Sequence, residues 1–353
     1  MQRRSLLATA LLLPAAGVPT AARAAGPAPD PAWRRFEIQT RVTLLDSSGP
    51  ARLWLPLAQT AAGYQTAGDP RCEGNGRAEV VQDARYGAGV LRAAWDDGAA
   101  GEQQITVTQT VATRDRGAPA LAPLTEAERA FWTAPTETVP IDGLVRDAAL
   151  RITAGRDSPK ERLRALYDWV VDTTWRNPDT PGCGTGDVRA MLEAGTFGGK
   201  CADINGLMVA LARAAGFPAR DVYGIRVAHS RFNPSLGRAG DITRAQHCRV
   251  EVFLDGDGWF PVDPADVRKV VLEEKLPLGS PAVQAVRERL FGAWEMNWVG
   301  FNNATDIELP GAGQQRPNFA FLMYPCAFTA TGQPNCLDPA RFRYEITSRE
   351  LTA

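Results

Sequence analysis

Gly198-Gly199-Lys200-Cys201 is a tight glycine turn that opens directly into an apolar helical pattern, Ile204, Leu207, Met208 and Leu211, stopped by Gly216 and Pro218. Working outward, Ser158-Pro159-Lys160-Glu161 is a helix start: a serine cap, proline at the first helical position and a glutamate that completes a capping box. Leu163, Leu166, Trp169 and Val170 follow at helical spacing. Downstream the period changes to two. Val222 to Val227 reads as a strand, and Gln246 to Leu254 and Trp259 to Val262 read as a hairpin around Asp255-Gly256-Asp257-Gly258. Upstream, Phe36 to Leu45, Ala51 to Leu57, Val90 to Trp95 and Gln104 to Val111 read as strands. Ile105, Val107 and Val111 of the last lie on one face. Helices followed by antiparallel strands, rather than alternating with them, make the fold class α+β.

The chain has 353 residues, enough for more than one core. Lys and Arg number 39 against 40 Asp and Glu, a net charge of −1, which gives no electrostatic reason to expect nucleic acid as a partner. Gly 33 and Pro 26 are abundant, but 9 Trp and 13 Phe need an interior, so the excess is assigned to loops. The start reads as a signal peptide over 1–24: Arg3-Arg4, an apolar run Leu6 to Leu13 too short to span a bilayer, and Ala22-Arg23-Ala24 as cleavage site. Arg3-Arg4-Ser5-Leu6-Leu7 resembles a twin-arginine signal, and a Sec signal with two chance arginines is the alternative. The expected location is periplasmic or secreted, without stable membrane insertion. The expected organisation is an N-terminal β module over 33–118, a bridge over 119–157, a catalytic core over 158–275 and a C-terminal extension over 276–353 whose aromatics pack on the core. Phe342, Tyr344 and Ile346 alternate as a closing strand.

Six cysteines fit an oxidising compartment, and none are spaced as C-x-x-C. Cys326 and Cys336 bracket a short Gly- and Pro-containing loop and are expected to form a disulfide. Cys201 has two readings. A thiol at a helix N-terminus faces unpaired N–H groups and the positive end of the helix dipole, both of which favour the nucleophilic thiolate. Otherwise it packs the helix end or joins a disulfide. A thiolate nucleophile needs an imidazole, and the imidazole needs an orienting group. The chain has two histidines. His247 starts a strand and Asp263 ends the next, whereas His229 sits in a polar loop and reads as a surface residue.

Position counting tests the set. Strand side chains alternate faces, so an even hairpin loop would turn Asp263 away from His247. A three- or five-residue loop puts Asp263 opposite Arg249, on the face of His247 and diagonal to it.

Gly199-Lys200-Cys201-Ala202-Asp203, then Leu211-Ala212-Arg213-Ala214-Ala215-Gly216-Phe217-Pro218-Ala219-Arg220, then His247, then Gly258-Trp259-Phe260-Pro261-Val262-Asp263-Pro264 resembles the papain-like core of bacterial transglutaminase-like proteins. The resemblance runs from about Ser158 to Val267. Leu53-Trp54-Leu55-Pro56-Leu57 is similar to the β module that precedes this core in exported members. The resemblance implies Cys201 as nucleophile, His247 as base and Asp263 as its orienting acid. It implies no cofactor or metal, and a peptide, protein or peptidoglycan-derived substrate. Amide or peptide hydrolysis is the first expectation, protein cross-linking the second, and a non-catalytic cell-envelope binding module the alternative from another class. The resemblance gives Cys248 no usual counterpart, and a disulfide with Cys183 is one reading of it. Trp175 and Gln246 are the candidate second oxyanion donors, with core packing the favoured reading of Trp175.

Overall fold

The computed structural model describes residues 33–45, 49–96, 102–117, 123–317 and 319–352. The expected signal peptide lies outside them. Seven strands come first: β1 (Arg34–Leu44), β2 (Ala51–Pro56), β3 (Gln65–Ala67), β4 (Arg71–Gly74), β5 (Arg77–Gln82), β6 (Gly89–Trp95) and β7 (Gln103–Thr113). Every second residue of β7 is buried, because strand side chains alternate faces; Ile105, Val107 and Val111 are all on the buried side. Three helices follow, α1 (Glu126–Thr133), α2 (Leu144–Thr153) and α3 (Pro159–Thr173). Two of them stand within the stretch expected as a bridge. Thr125 and Glu128 cap α1 with the same reciprocal hydrogen bonds that Ser158 and Glu161 make at α3.

The remaining elements are β8 (Trp175–Arg176), α4 (Val188–Ala194), β9 (Gly198–Gly199), α5 (Cys201–Ala214), β10 (Ala219–Arg226), β11 (Gly240–Asp241), β12 (Gln246–Leu254), β13 (Gly258–Val262), α6 (Pro264–Glu273), α7 (Pro281–Arg289), β14 (Trp298–Asn302), β15 (Cys326–Thr329) and β16 (Phe342–Leu351). All fourteen residues of α5 are buried. The helix is enclosed by the antiparallel sheet β13-β12-β10-β14 on one side and by α2 and α3 on another. A helix apolar on nearly every face needs such enclosure.

The strand expected near the C-terminus is β16. It joins the N-terminal sheet, in the order β11-β16-β1-β7-β3, rather than the sheet under α5. Its pairing with β1 runs from Arg35 opposite Leu351 to Leu44 opposite Phe342. A further sheet, β15-β2-β6-β5, combines early and late strands in the same way. One buried apolar cluster runs from Val42 and Leu53 through Leu207 and Met208 to Phe342.

The β12–β13 hairpin has the three-residue loop. Leu254 pairs with Gly258 and Val250 with Val262, leaving Asp255, Gly256 and Asp257 in the turn. This register brings Asp263 onto the face of His247.

All six cysteines are free thiols. The expected Cys326–Cys336 bridge is therefore corrected. The loop between them folds on itself, with Thr329 and Gly332 exchanging backbone hydrogen bonds, and Cys326 Sγ accepts instead from Gln333 Nε2 at 3.4 Å. The Cys183–Cys248 reading is corrected on the same ground.

A buried charge cluster joins the N-terminal strands to the sheet under α5. Arg116, just after β7, pairs with Glu251 of β12. Its Nη2 donates to the Trp259 carbonyl at 2.8 Å, and its guanidinium lies 4.4 Å from the Tyr64 ring centroid. Glu251 also accepts from Arg220 at 2.6 Å. Removing one partner of a buried pair strands the other charge. Arg116→Ala should therefore lower stability by about 3–5 kcal/mol in urea titrations. A loss under about 1 kcal/mol would show that Arg220 alone satisfies Glu251.

Candidate active site

The turn before α5 is built to hold a thiol in place. Asp203, in the first turn of α5, accepts from Thr185 and Gly186 N–H at 3.0 Å each through Oδ1. Through Oδ2 it accepts from Lys200 N–H at 2.9 Å. One carboxylate thus ties the loop 183–186 to the helix start. Gly184 has φ +91° there, and a Cβ would lie 1.8 Å from Asp203 Oδ2, so only glycine fits. Ala202 N–H donates to the Cys183 carbonyl at 3.0 Å, while Cys201 N–H makes no hydrogen bond among the described residues. That free N–H lies at the positive end of a long helix and can stabilise an oxyanion.

Cys201, 2% exposed, sits among Cys183, Cys248 and His247. Hydrogen bonds from Cys183, then from Cys248, hold its thiol well below the usual range; burial opposes them and His247 adds to them. The two neighbours move the other way. Cys183 is raised by its hydrogen bond to Cys201 and by burial, and Cys248 by burial and by Cys201. They stay protonated beside Cys201, and Cys183 Sγ also has the Gln246 carbonyl within reach as an acceptor at 3.3 Å.

His247 is 2% exposed and Asp263 fully buried. Nε2 of His247 lies 2.7 Å from Asp263 Oδ2, which leaves Nδ1 for Cys201. Asp263 is also the cap of α6, accepting from Asp266 N–H at 3.1 Å, with Pro264 at the first helical position. Asn205, one turn beyond Cys201, donates to Asp263 Oδ1 at 3.2 Å and to the Cys248 carbonyl at 2.8 Å. The structure therefore brings Cys201, His247 and Asp263 together, and it leaves His229 exposed in its loop.

A second carboxylate was not read from the sequence. Asp266 Oδ2 lies 3.3 Å from His247 Nε2, and its Oδ1 accepts from Arg226 at 2.6 Å. Burial and Arg226 pull the His247 pKa down, but Asp266 and Asp263 outweigh them and carry it up to about 9. Burial raises Asp266 too, yet Arg226 and His247 take it well below the usual carboxyl range. Burial and Asp266 raise Asp263, against His247 and Arg249. His247, Asp263 and Asp266 place ligand atoms within 4.8 Å of one another, a spacing that would suit a cation. The positive charge there is already supplied by Arg226 on Asp266 and by Arg249, 3.6 Å from Asp263.

Of the two candidate oxyanion donors, Trp175 lies over the turn before α5 and Gln246 precedes His247 on β12. Trp175 is 45% exposed, so its expected role in core packing is corrected. Its indole lies across Gly198, where a Cβ would meet it at 2.4 Å. Gln246 Nε2 is buried beside the Tyr344 hydroxyl, which it approaches without a hydrogen bond of good geometry. A cleft of about 890 Å³ ends on Cys183, Lys200 and Gln246.

A family model described as the transglutaminase-like superfamily matches residues 146–264, the segment that carries this arrangement. An uncharacterized protein of Haemophilus influenzae is 35% identical over 333 residues, which covers 86% of this chain and 88% of that protein. The chain belongs to the transglutaminase-like superfamily. Among solved structures, a candidate cysteine protease from Cytophaga hutchinsonii superposes on this transglutaminase-like protein with a TM-score of 0.57. It is 15% identical, over 91% of this chain and 92% of its own, and the likeness is one of fold. The periplasmic domain of TgpA from Pseudomonas aeruginosa aligns over 74% of this chain and 93% of its own at 17% identity, with a TM-score of 0.38.

Two outcomes follow for this transglutaminase-like site. Cys183→Ala removes the leading donor to the thiolate, so iodoacetamide alkylation of Cys201, followed by peptide mapping, should slow at acid pH and recover at alkaline pH. Cys183→Ser restores a donor and should restore much of the acid-side rate; equal profiles for all three proteins would remove Cys183 from the site. The ion pair of thiolate and imidazolium is lost as pH falls through the lowered Cys201 pKa, or rises through that of His247 near 9. Asp266→Asn should move chiefly the alkaline limb of the alkylation profile, toward lower pH, because the Asp266 charge leads the causes that raise His247.

Proposed function

We propose that this protein is an exported thiol-dependent acyl-transfer enzyme that hydrolyses amide or peptide bonds. The observation that carries the reading is the buried set in which His247, held through Nε2 by Asp263, faces a thiol at the N-terminus of α5. In the proposed reaction the Cys201 thiolate attacks the carbonyl carbon of the substrate. The carbonyl electron pair moves onto oxygen, and the oxyanion is met by Cys201 N–H and a side-chain donor, Trp175 Nε1 or Gln246 Nε2. Collapse breaks the C–N bond. The His247 imidazolium gives its proton to the leaving amine, and a thioester remains on Cys201. Water, deprotonated by His247, then attacks the thioester. The acid leaves, and the thiolate and imidazolium return. Asp263 keeps Nε2 engaged throughout, so Nδ1 handles every proton transfer.

An amine in place of that water would make the same thioester an intermediate of cross-linking. The Cytophaga hutchinsonii neighbour, described as a candidate cysteine protease, favours water. Export rests on the sequence at 1–24 and is tested by where the protein fractionates when produced with and without Arg3 and Arg4.

The reading is tested by mass spectrometry of the acyl-enzyme and by turnover. Wild type incubated with a peptide and cell-wall fragment library should gain a hydroxylamine-sensitive adduct on Cys201. Cys201→Ala should lose turnover by at least about 10³-fold and His247→Ala by a similar factor, because the members act as a unit. Retained turnover in Cys201→Ala would overturn the mechanism, and adduct transfer to an added amine in preference to water would make the enzyme a transferase.

A further inference from the structure

We infer that the cleft beside Cys201 takes an acyl donor bearing free carboxylates, an acidic peptide or peptide fragment; this rests on the thiol acyl-transfer reading of the same site. The cleft is lined by five cationic side chains, Arg176, Lys200, Arg238, Arg244 and Arg343, against two acidic ones, Asp241 and Glu345. This concentration occurs in a chain whose net charge is −1.

The five also lack carboxylate partners of their own. Several buried or half-buried arginines elsewhere meet carboxylates, Arg226 with Asp266, Arg220 with Glu251, and Arg287 with Asp168 and Asp172, while buried Arg213 is satisfied by the Ala219 and Ala134 carbonyls. Among the described residues none of the five cleft cations makes an ion pair, and Arg238 donates only to a backbone carbonyl, that of Asp241, at 2.9 Å. Arg238, Arg244 and Arg343 are exposed, as solvated surface charges would be. Arg176 and Lys200 are half-buried, one in β8 and one immediately before Cys201. Like charges gathered around one concavity repel, and a low-dielectric wall strengthens their joint field toward an anion.

A second feature also points to a ligand. Gln246 lines the cleft at 8% exposure, and its amide nitrogen is buried behind that wall, beside Tyr344, without a hydrogen bond of good geometry. A buried N–H donor left unmade costs free energy, so a small rotation of this amide toward the cleft on binding an acceptor would be favourable. Tyr324 and Tyr344 give the same cleft amphipathic walls suited to a peptide chain. Because Cys201 reacts at an acyl carbon, the acidic group is assigned as a carboxylate on the same molecule. An acidic protein segment and a cell-wall stem peptide both offer that chemistry.

The test begins with two alkylating reagents of nearly the same size. Iodoacetate carries a carboxylate and iodoacetamide does not. With rates normalised to free cysteine and read at Cys201 by peptide mapping, iodoacetate should be favoured by about tenfold at low ionic strength. The preference should fall toward parity as salt screens the cleft, and should fall in Arg244→Gln/Arg343→Gln. Parity at low salt would overturn the inference while leaving the nucleophile intact. No alkylation of Cys201 by either reagent near neutral pH would instead overturn the acyl-transfer reading beneath it. A second arm measures protection of Cys201 from iodoacetamide by a linear acidic peptide and by a cell-wall stem peptide, each beside its fully amidated twin. Protection by one acidic form and not by its twin supports the inference and names the source. Equal protection by the twins, or protection by neither acidic form, overturns it.

Discussion

The Asp263 carboxylate is buried completely and is used from four directions. It fixes His247, caps α6, accepts from Asn205 on α5 and faces Arg249 on β12. A carboxylate this deep is costly unless every lone pair is engaged. Helix, hairpin and following helix therefore have to meet at one point. The three-residue turn of the β12–β13 hairpin is what allows it, since a loop one residue longer or shorter would present Asp263 to the other side of the sheet. Position and chemistry at this site share one constraint: the carboxylate that orients the imidazole also sets the entry of α6.

Charge is compensated around that point in a chain of contacts. Arg226 satisfies Asp266, Asp266 and Asp263 favour the imidazolium, and the imidazolium with two neighbouring thiols favours the thiolate. Each charged group is buried, and each has a partner of opposite sign or an S–H donor. An interior of low dielectric makes such a chain strongly interdependent. The Cys183 and Cys248 thiols serve here through their weak acidity, a use that depends on their staying reduced.

Much of this was legible from local patterns. The α5 start, the capping box at Ser158, the alternation of β7 and the hairpin each follow from residues close in sequence, and so does the meeting of His247 with Asp263. The rest depends on contacts between distant segments. Asp266 reads locally as one more acid in a first helical turn; only the fold puts Arg226 and His247 against it. Asn205 is polar in an apolar helix, four residues from Cys201, a signal that was available. A Cys183–Cys248 bridge was one reading because cysteines usually pair in chains expected to be exported, but both thiols lie against Cys201. Trp175 reads as core by composition, and its exposure is set by the two-residue β8–β9 pairing, which no periodicity announces.

The pairing of β16 with β1 has a consequence in time. Arg34 and Glu350 bond across 316 positions of chain, so this pairing closes only after the elements between them have been made. Phe342, Arg343, Tyr344 and Glu345 of that strand are also one wall of the cleft. A ribosome emitting this protein exposes the thiol turn, the imidazole strand and the capping carboxylate well before it releases the wall that confronts a substrate. Contacts at such separation form slowly, because the connecting chain must first be gathered at an entropic cost. The growing polypeptide thus carries its reactive centre for a long interval without a finished entrance. The order of synthesis itself sets this wall after the thiol, the imidazole and the carboxylate.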